Sequence, residues 1–264
     1  IQEHLESFGT AGKALVKMGK TAKESVKNLV IPDSMLFEQL GIICTPPIDG
    51  HNIPAIKAAI KNAFAANAPV LVHVITKKGK GYAPAEQNPS RFHGVGPYDL
   101  ESGEIKKKVG GNLTYTQAFS QSLKAEAAKD DSIVVVTAAM TDGTGLADFA
   151  REYPKRFFDV GIAEEHAVAM AAGLSIGGKK PVVALYSTFM QRAIDQLIID
   201  VALPRENVVI AIDRAGLVGD DGPTHHGVFD MVYARMIPHV KILAPSDEAE
   251  LASALHTALA IGGP

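Results

Sequence analysis

Apolar positions along this chain fall into short β-branched runs of strand length, separated by longer stretches in which apolar residues recur every third or fourth position. Residues 1 to 31, lysine-rich with short apolar clusters, read as one surface helix or two. A short helix, Met35 to Leu40, follows the capping sequence Pro32-Asp33-Ser34 and ends at Gly41. Gly41 to Cys44 reads as a brief strand, and the turn-rich PPIDGHN comes next. Ile53 to Ala66 then reads as an amphipathic helix, and Pro69 to Thr76, PVLVHVIT, as a buried parallel strand. Residues 77 to 112 change character: Gly, Pro and Lys dominate, as in a functional loop or an interdomain linker, and a boundary is placed near residue 112.

Beyond it the two rhythms alternate regularly. The pattern predicts helix Tyr115 to Ala128, strand Ser132 to Thr137, a helix near Leu146 to Glu152 and strand Phe157 to Gly161. A small-residue helix, Ala167 to Leu174, stops at Gly177-Gly178. Strand Pro181 to Tyr186, helix Phe189 to Ala202 and strand Asn207 to Asp213 lead into a long loop. Strand Val240 to Ala244 and helix Asp247 to Ile261, capped by Pro245-Ser246, close the series. Alternation of this kind predicts an α/β fold: a doubly wound, mostly parallel sheet, preceded by the rear part of a second α/β domain.

Composition narrows the function classes without choosing among them. With 264 residues, 47% hydrophobic, 21% charged and a net charge of −3, the chain is of globular type. That balance gives no reason to expect a nucleic-acid partner, and no apolar run is long enough to span a membrane. Cys44 is the single cysteine, which rules out an intrachain disulfide and fits a reducing, cytoplasmic compartment. The chain opens at Ile1 without a signal-peptide pattern and stops at Gly262-Gly263-Pro264 straight after a helical segment, so a piece of a longer protein is expected.

In a doubly wound sheet the loops after each strand carry the chemistry. Here they are TAAMTDGTG, GIAEEH, YSTFMQR and DRAGLVGDDGPTHHG. Glu164 and Glu165 sit at a strand-to-helix junction, where a carboxylate serves either as a dipole-favoured cap or as a ligand group. Phe189 and Arg192, three residues apart, share a helix face with Tyr186 near its start, a pairing suited to a planar ring and an anion; core packing and a surface charge are the other reading. In the last loop Arg214, Asp220, Asp221, His225 and His226 supply charge and proton carriers among glycines. Adjacent histidines point apart in most local geometries, so no metal site is read within the chain, and a solvated turn remains the alternative for this loop. His93, and Lys77, Lys78 and Lys80 with their glycines, are ambiguous alone.

Taken together, GIAEEHAVAMAAGLSIGGKKPVVALYSTFMQRAIDQ, DRAGLVGDDGPTHHGVFD and KGKGYAPAEQNPSRFHGVGP resemble the 1-deoxy-D-xylulose-5-phosphate synthases, and PIDGHN and LAPSDEAEL fit the same family. These are thiamine-diphosphate enzymes of the transketolase superfamily. The resemblance implies condensation of pyruvate with D-glyceraldehyde 3-phosphate, with loss of carbon dioxide, as the first step of the methylerythritol phosphate isoprenoid pathway. It implies thiamine diphosphate and Mg2+ as cofactors and a homodimer in the cytoplasm, or in the plastid stroma for a plant or algal source. Glu164 would hydrogen-bond the pyrimidine ring, since a mostly buried carboxyl can share a proton with a ring nitrogen. Phe189 would stack on that ring, with Ile162 and Tyr82 also at the cofactor. Tyr186, Arg192, Arg214, Asp221 and His225 would line the substrate pocket, and His225 and His93 would move protons.

The resemblance has departures. The Gly-Asp-Gly…Asn motif that holds the family's diphosphate and magnesium is absent, as are its first-domain histidine and its third domain with a phosphate-binding arginine. ICTPPIDGH differs from the usual aromatic, glycine-containing version, and Glu165 stands where glutamine is commoner. Residues 1–82 are therefore read as the rear of the diphosphate-binding domain, 83–112 as linker and active-site loop, and 113–264 as the pyrimidine-binding domain. The metal ligands are expected on an upstream segment. Another thiamine-diphosphate enzyme, such as a transketolase or an oxoacid dehydrogenase E1 component, and a non-catalytic truncated module are the alternatives.

Overall fold

The structure, a computed structural model, describes residues 35–105, 113–219 and 222–264. The helices read within residues 1 to 31, their cap at 32 to 34, and the loop residues Asp220 and Asp221 lie outside the described residues. The chain divides into two compact units, Ile1–Lys106 and Lys107–Pro264, a few residues ahead of the boundary read near 112.

In the first unit α1 (Met35–Gln39) leads to β1 (Ile43–Cys44) and β2 (Ile48–Asp49), and α2 (Ile53–Ala65) leads to β3 (Val70–Leu71) and β4 (Val74–Ile75). The single buried strand read at Pro69 to Thr76 is two short ones, β3 parallel to β1 and β4 parallel to β2. Pro46 and Pro47 explain the break, because neither offers an N–H to a ladder, and Val74 and Ile75 are exposed. The Asn52 side chain caps α2 by accepting from Ala55 N at 3.1 Å. The apolar residues Ile53, Ile60 and Phe64 of α2 stand exposed in this unit. The stretch read as structureless contains α3 (Ala83–Gln87) and a bridge between Tyr98 and Ile105.

The second unit carries the main sheet. Its elements are α4 (Tyr115–Ala127), β5 (Ile133–Thr137), α5 (Ala147–Glu152), β6 (Phe157–Asp159), α6 (Glu164–Ile176) and β7 (Lys180–Tyr186). A helix of changing pitch follows: α7 (Ser187–Met190), a 3-10 turn Gln191–Ala193, α8 (Ile194–Gln196) and a π-helical turn Leu197–Ala202. Then come β8 (Val209–Asp213), α9 (Asp230–Met236) and α10 (Glu248–Ile261). All four strands are parallel, in the order β6-β5-β7-β8.

Strand alternation builds both cores. Ile133 and Val135 of β5 and Val182 and Ala184 of β7 meet Leu123 of α4, Phe149 of α5, and Leu255 and Leu259 of α10. Val136, Val183 and Leu185 point the other way, onto Ala167, Val168, Ala171 and Ala172 of α6 and onto Met190, Leu197 and Val201. Each fully buried Val, Leu or Phe contributes roughly 1.5–3 kcal/mol of apolar burial, and the sheet is covered on both faces. The small residues of α6 let that helix lie close on β7.

Two readings of the second unit need correction. Val240 to Ala244 is not a strand: β8 ends the ladder among the described residues, and Lys241 N in this segment donates to Pro264 O at 3.1 Å. The cap of α10 is Asp247, whose side chain accepts from Glu250 N at 2.8 Å, while Ser246 donates to the Glu250 carboxylate. Several bounds also shift: α6 starts at Glu164, ahead of Ala167, and the helix after β7 starts at Ser187, ahead of Phe189.

The strand order reverses between β5 and β7. The connection from β5 leads to β6 on one side, and that from β7 to β8 on the other. The carboxyl ends of β5 and β7 are therefore the switch point, the position at which open α/β sheets form their ligand crevice.

Candidate active site

The crevice is framed by three loops tied together at their bases. Asp159, last in β6, accepts from Ala139 N at 2.8 Å, from Thr141 Oγ1 at 2.9 Å and from Gly161 N at 3.0 Å. One carboxylate thus fixes the loops after β5 and β6. Gly161, at φ +74, turns the chain out of β6 in a conformation that L-residues resist. The chain then enters α6 at Glu164, leaving Ile162 exposed on the rim. An acidic first turn matches the helix dipole, yet Glu164 is 2% exposed, which a solvated cap would not be.

Its partner comes from the neighbouring loop. Arg192 Nη1 donates to Glu164 Oε1 at 2.7 Å, and Oε2 has no donor among the described residues. The Arg192 guanidinium also lies 5.1 Å from the centre of the Phe189 ring. The 3-10 turn at Gln191–Ala193 assists, since residues three apart eclipse there. Phe189 runs nearly parallel to Tyr186, with centroids 5.9 Å apart and planes 6° apart, and the His225 ring meets Phe189 edge-on at 5.5 Å. His225 Nδ1 lies 2.9 Å from Thr224 Oγ1.

Behind this row Arg214 is built into a polar knot. Its guanidinium lies 4.4 Å from the Tyr186 ring centre and donates to the Gly143 carbonyl at 3.1 Å, Asp213 Oδ2 at 3.0 Å and Thr116 Oγ1 at 3.3 Å. Thr116 in turn donates to Asp213 Oδ2 at 2.8 Å. A Cβ on Gly143 would collide with the Tyr186 hydroxyl, so glycine there is a packing requirement.

Of the residues singled out from sequence, Glu164, Phe189, Tyr186, Arg192, Arg214 and His225 come together at this end of the sheet, and Ile162 borders them. Asp221 lies outside the described residues. Tyr82 and His93 belong to the first unit. There Tyr82 packs with Phe92 and Tyr98, at 5.6 and 5.9 Å between centroids, and donates to Leu100 O at 2.9 Å; His93 is exposed beside Phe92. Burial raises the Tyr82 phenol above its ordinary range, with Tyr98 and Asp99 adding to the effect. The basic loop before it is closed by Glu86, which pairs with Lys77 and accepts from Gly81 N at 2.9 Å. Its carboxyl sits below the usual range, chiefly through Lys77. Sequence reasoning missed Asp159, Thr116, Ser187 and Asp230; the one available signal was their position at or just beyond a strand end or at a helix start.

The segment bearing this arrangement, residues 111–264, matches the family model for the transketolase pyrimidine binding domain. The chain belongs to the transketolase pyrimidine-binding family. Residues 1–76 match a second model, that of 1-deoxy-D-xylulose-5-phosphate synthase. Among curated relatives of this transketolase-family chain, the 1-deoxy-D-xylulose-5-phosphate synthase of Heliobacterium modesticaldum is 54% identical over 100% of the chain and 40% of the relative. That of Pelotomaculum thermopropionicum is 55% identical over 96% of the chain and 39% of the relative. The chain thus spans about two fifths of the length of these relatives. Among solved structures, a split-gene transketolase described as an inactive beta4 tetramer is 32% identical, covering 58% of this chain and 50% of its own, with a TM-score of 0.53. Transketolase from Leishmania mexicana, at 15% identity and TM-score 0.53 over 90% of this chain and 48% of its own, shares the fold.

Proposed function

We propose that this chain supplies the pyrimidine side of a thiamine-diphosphate site. The protein that carries it condenses pyruvate with D-glyceraldehyde 3-phosphate, releasing carbon dioxide and forming 1-deoxy-D-xylulose 5-phosphate. The observation that carries the reading is the buried Glu164 carboxyl, joined through Arg192 to the Phe189 ring, inside a segment of the pyrimidine-binding family. The relatives' names and their identity over the whole chain support the choice of reaction.

The residues present suit the ring. Phe189 and the exposed Ile162 offer apolar surface, and Glu164 keeps Oε2 without a donor while Arg192 holds Oε1. A carboxylate oxygen open to a further donor can accept from a ring N–H. Thiamine diphosphate supplies the nucleophilic carbon and electron sink that decarboxylation needs. The chain's residues orient the ring, exclude water and move protons. His225 is assigned as the proton carrier in this unit, with His93 as a second. Tyr186, Arg192, Arg214 and Asp221 are assigned to the substrates, guanidinium being suited to a carboxylate or a phosphate.

The proposal reads residues 1–82 as the rear of a diphosphate-binding domain, 83–112 as linker and active-site loop with Tyr82 at its edge, and 113–264 as the pyrimidine-binding domain. Among the described residues no three His, Cys, Asp or Glu side chains gather. Mg2+ and the diphosphate are assigned to sequence that the relatives carry outside the matched two fifths, because the family's Gly-Asp-Gly…Asn motif does not occur in this chain. A homodimer belongs to the proposal and draws support from the exposed apolar residues Phe229, Met231, Val232 and Met236. Among the described residues no helix is long and apolar enough to cross a membrane. The proposed location is the bacterial cytoplasm, or the plastid stroma for a plant or algal source.

The test is a graft. This chain replaces the matching segment of the Heliobacterium modesticaldum synthase, and the chimera is given thiamine diphosphate, Mg2+, pyruvate and D-glyceraldehyde 3-phosphate. Formation of 1-deoxy-D-xylulose 5-phosphate is the expected result. A folded chimera that makes none, or that turns over a ketose-phosphate donor instead, sinks the reading.

A further inference from the structure

The loop carrying His225 is held by residues outside the site just described. Gly216 and Gly227 exchange backbone bonds, Gly216 N to Gly227 O at 2.9 Å and Gly227 N to Gly216 O at 2.7 Å, which pinch the loop at its base. Three residues further on, Asp230 opens α9 with its carboxylate buried. Oδ1 accepts from Met231 N at 2.8 Å, and Oδ2 accepts from Ser187 Oγ at 3.0 Å. Ser187 is itself buried, at 1% exposed. A Cβ on Gly227 would collide with the Ser187 hydroxyl and the Arg214 carbonyl, so the loop's return leg rests directly on the serine. The next residue, Thr188, donates to the carbonyl of Thr224 at 2.9 Å.

Ser187 and Thr188 are the two residues between Tyr186 and Phe189. The helix start that presents the Phe189 ring therefore also grips the loop on both sides of His225, at Thr224 and, through Asp230, beyond Gly227. A hydroxyl donating to a carboxylate is a charge-assisted bond. Burial of both partners leaves no water to replace it. Without it, among the described residues the loop is tied by the backbone pinch, by Val218 N donating to His226 Nδ1 at 3.0 Å and by the Thr188 bond, whose surroundings are exposed.

We propose that Ser187 and Asp230 are positioning residues whose buried hydrogen bond fixes the His225 ring against Phe189. The catalytic meaning of that placement rests on the function proposed above; the placement itself does not.

The test reads the placement directly. An aromatic ring shifts the NMR signals of protons held near it, so the His225 ring protons report their distance from Phe189. In the 264-residue chain, Phe189→Leu gives the signal of an unshifted His225. Ser187→Ala should move the wild-type signal at least half of the way to that value. Asp230→Ala, which removes both acceptors of Ser187 and Met231, should move it in the same direction, and it stands in if Ser187→Ala does not fold. Leu259→Ala, in the core on the opposite face of the sheet, should lower stability and leave the signal in place. An unmoved His225 signal in folded Ser187→Ala or Asp230→Ala overturns the proposal. So does an equal movement in Leu259→Ala. In the grafted synthase, Ser187→Ala is expected to lower kcat about tenfold with KM for pyruvate little changed. A moved signal with unchanged kcat would uphold the positioning pair and refute the role given to His225.

Discussion

Arg192 reaches from the turn after β7 to the first residue of α6 and donates to Glu164 at 2.7 Å. The pair joins a side chain that is 3% exposed to one that is 49% exposed. Such an arrangement joins a buried carboxyl group to a guanidinium that stays half in solvent.

Removing the cation strands that carboxylate. Arg192→Met should destabilise the chain by about 1–3 kcal/mol near neutral pH, the cost of an unsatisfied buried acceptor. The exposure of Arg192 keeps it below a fully buried pair. Urea unfolding measures it. Adding Glu164→Gln to the same protein should recover part of the loss, since the charge is gone. Equal stability of Arg192→Met and wild type would mean that the pair contributes nothing.

Gly143 faces Tyr186 at van der Waals limits. Gly143→Ala should push the ring out of line with Phe189 and cost about 1–3 kcal/mol, as overpacking does. Arg214 donates to the Gly143 carbonyl and lies over the Tyr186 ring, so it should be disturbed as well. Tyr186→Phe, which removes the hydroxyl but keeps the ring, should restore part of the stability of Gly143→Ala. Failure of that rescue would place the strain elsewhere.

At the other end of the sheet, Asp130 accepts from Ser132 and from Lys180 Nζ at 2.9 Å. The Ser132 hydroxyl first, then Lys180, hold its carboxyl down at about 2. A lowered carboxyl favours the folded state above the ordinary carboxylate range, and that contribution disappears as pH falls through the folded value. Asp130→Asn should therefore be less stable than wild type at pH 7. The deficit is roughly 1 kcal/mol or less, because the pair is about a third exposed to solvent. It should close between about pH 4 and pH 2. Thermal melts across that range decide it, and a gap that persists at pH 2 would contradict the assignment.

The sequence makes the second unit legible because its strands are buried on both faces and its helices end at glycine or a cap. Ile133–Thr137 and Lys180–Tyr186 are visible as β-branched and apolar runs. Val240 to Ala244 has the same composition but no partner strand, and pairing is not written in the segment itself. PVLVHVIT misleads similarly, because its ladder is broken by Pro46 and Pro47 on the opposing segment. In the site, Glu164, Phe189 and Arg192 are readable from their place after strands. Ser187 and Asp230 are not, because their meaning lies in a contact across 43 residues of sequence.

The most direct test of the central claim is binding of the pyrimidine ring to this chain. Saturation-transfer NMR detects weak binding, and thiamine diphosphate should receive transfer chiefly at its pyrimidine protons. Glu164→Gln should weaken that transfer and Phe189→Ala abolish it, with both variants still folded. No transfer from the wild-type chain, or transfer that both variants leave intact, would contradict the assignment of Glu164 and Phe189 to the cofactor ring.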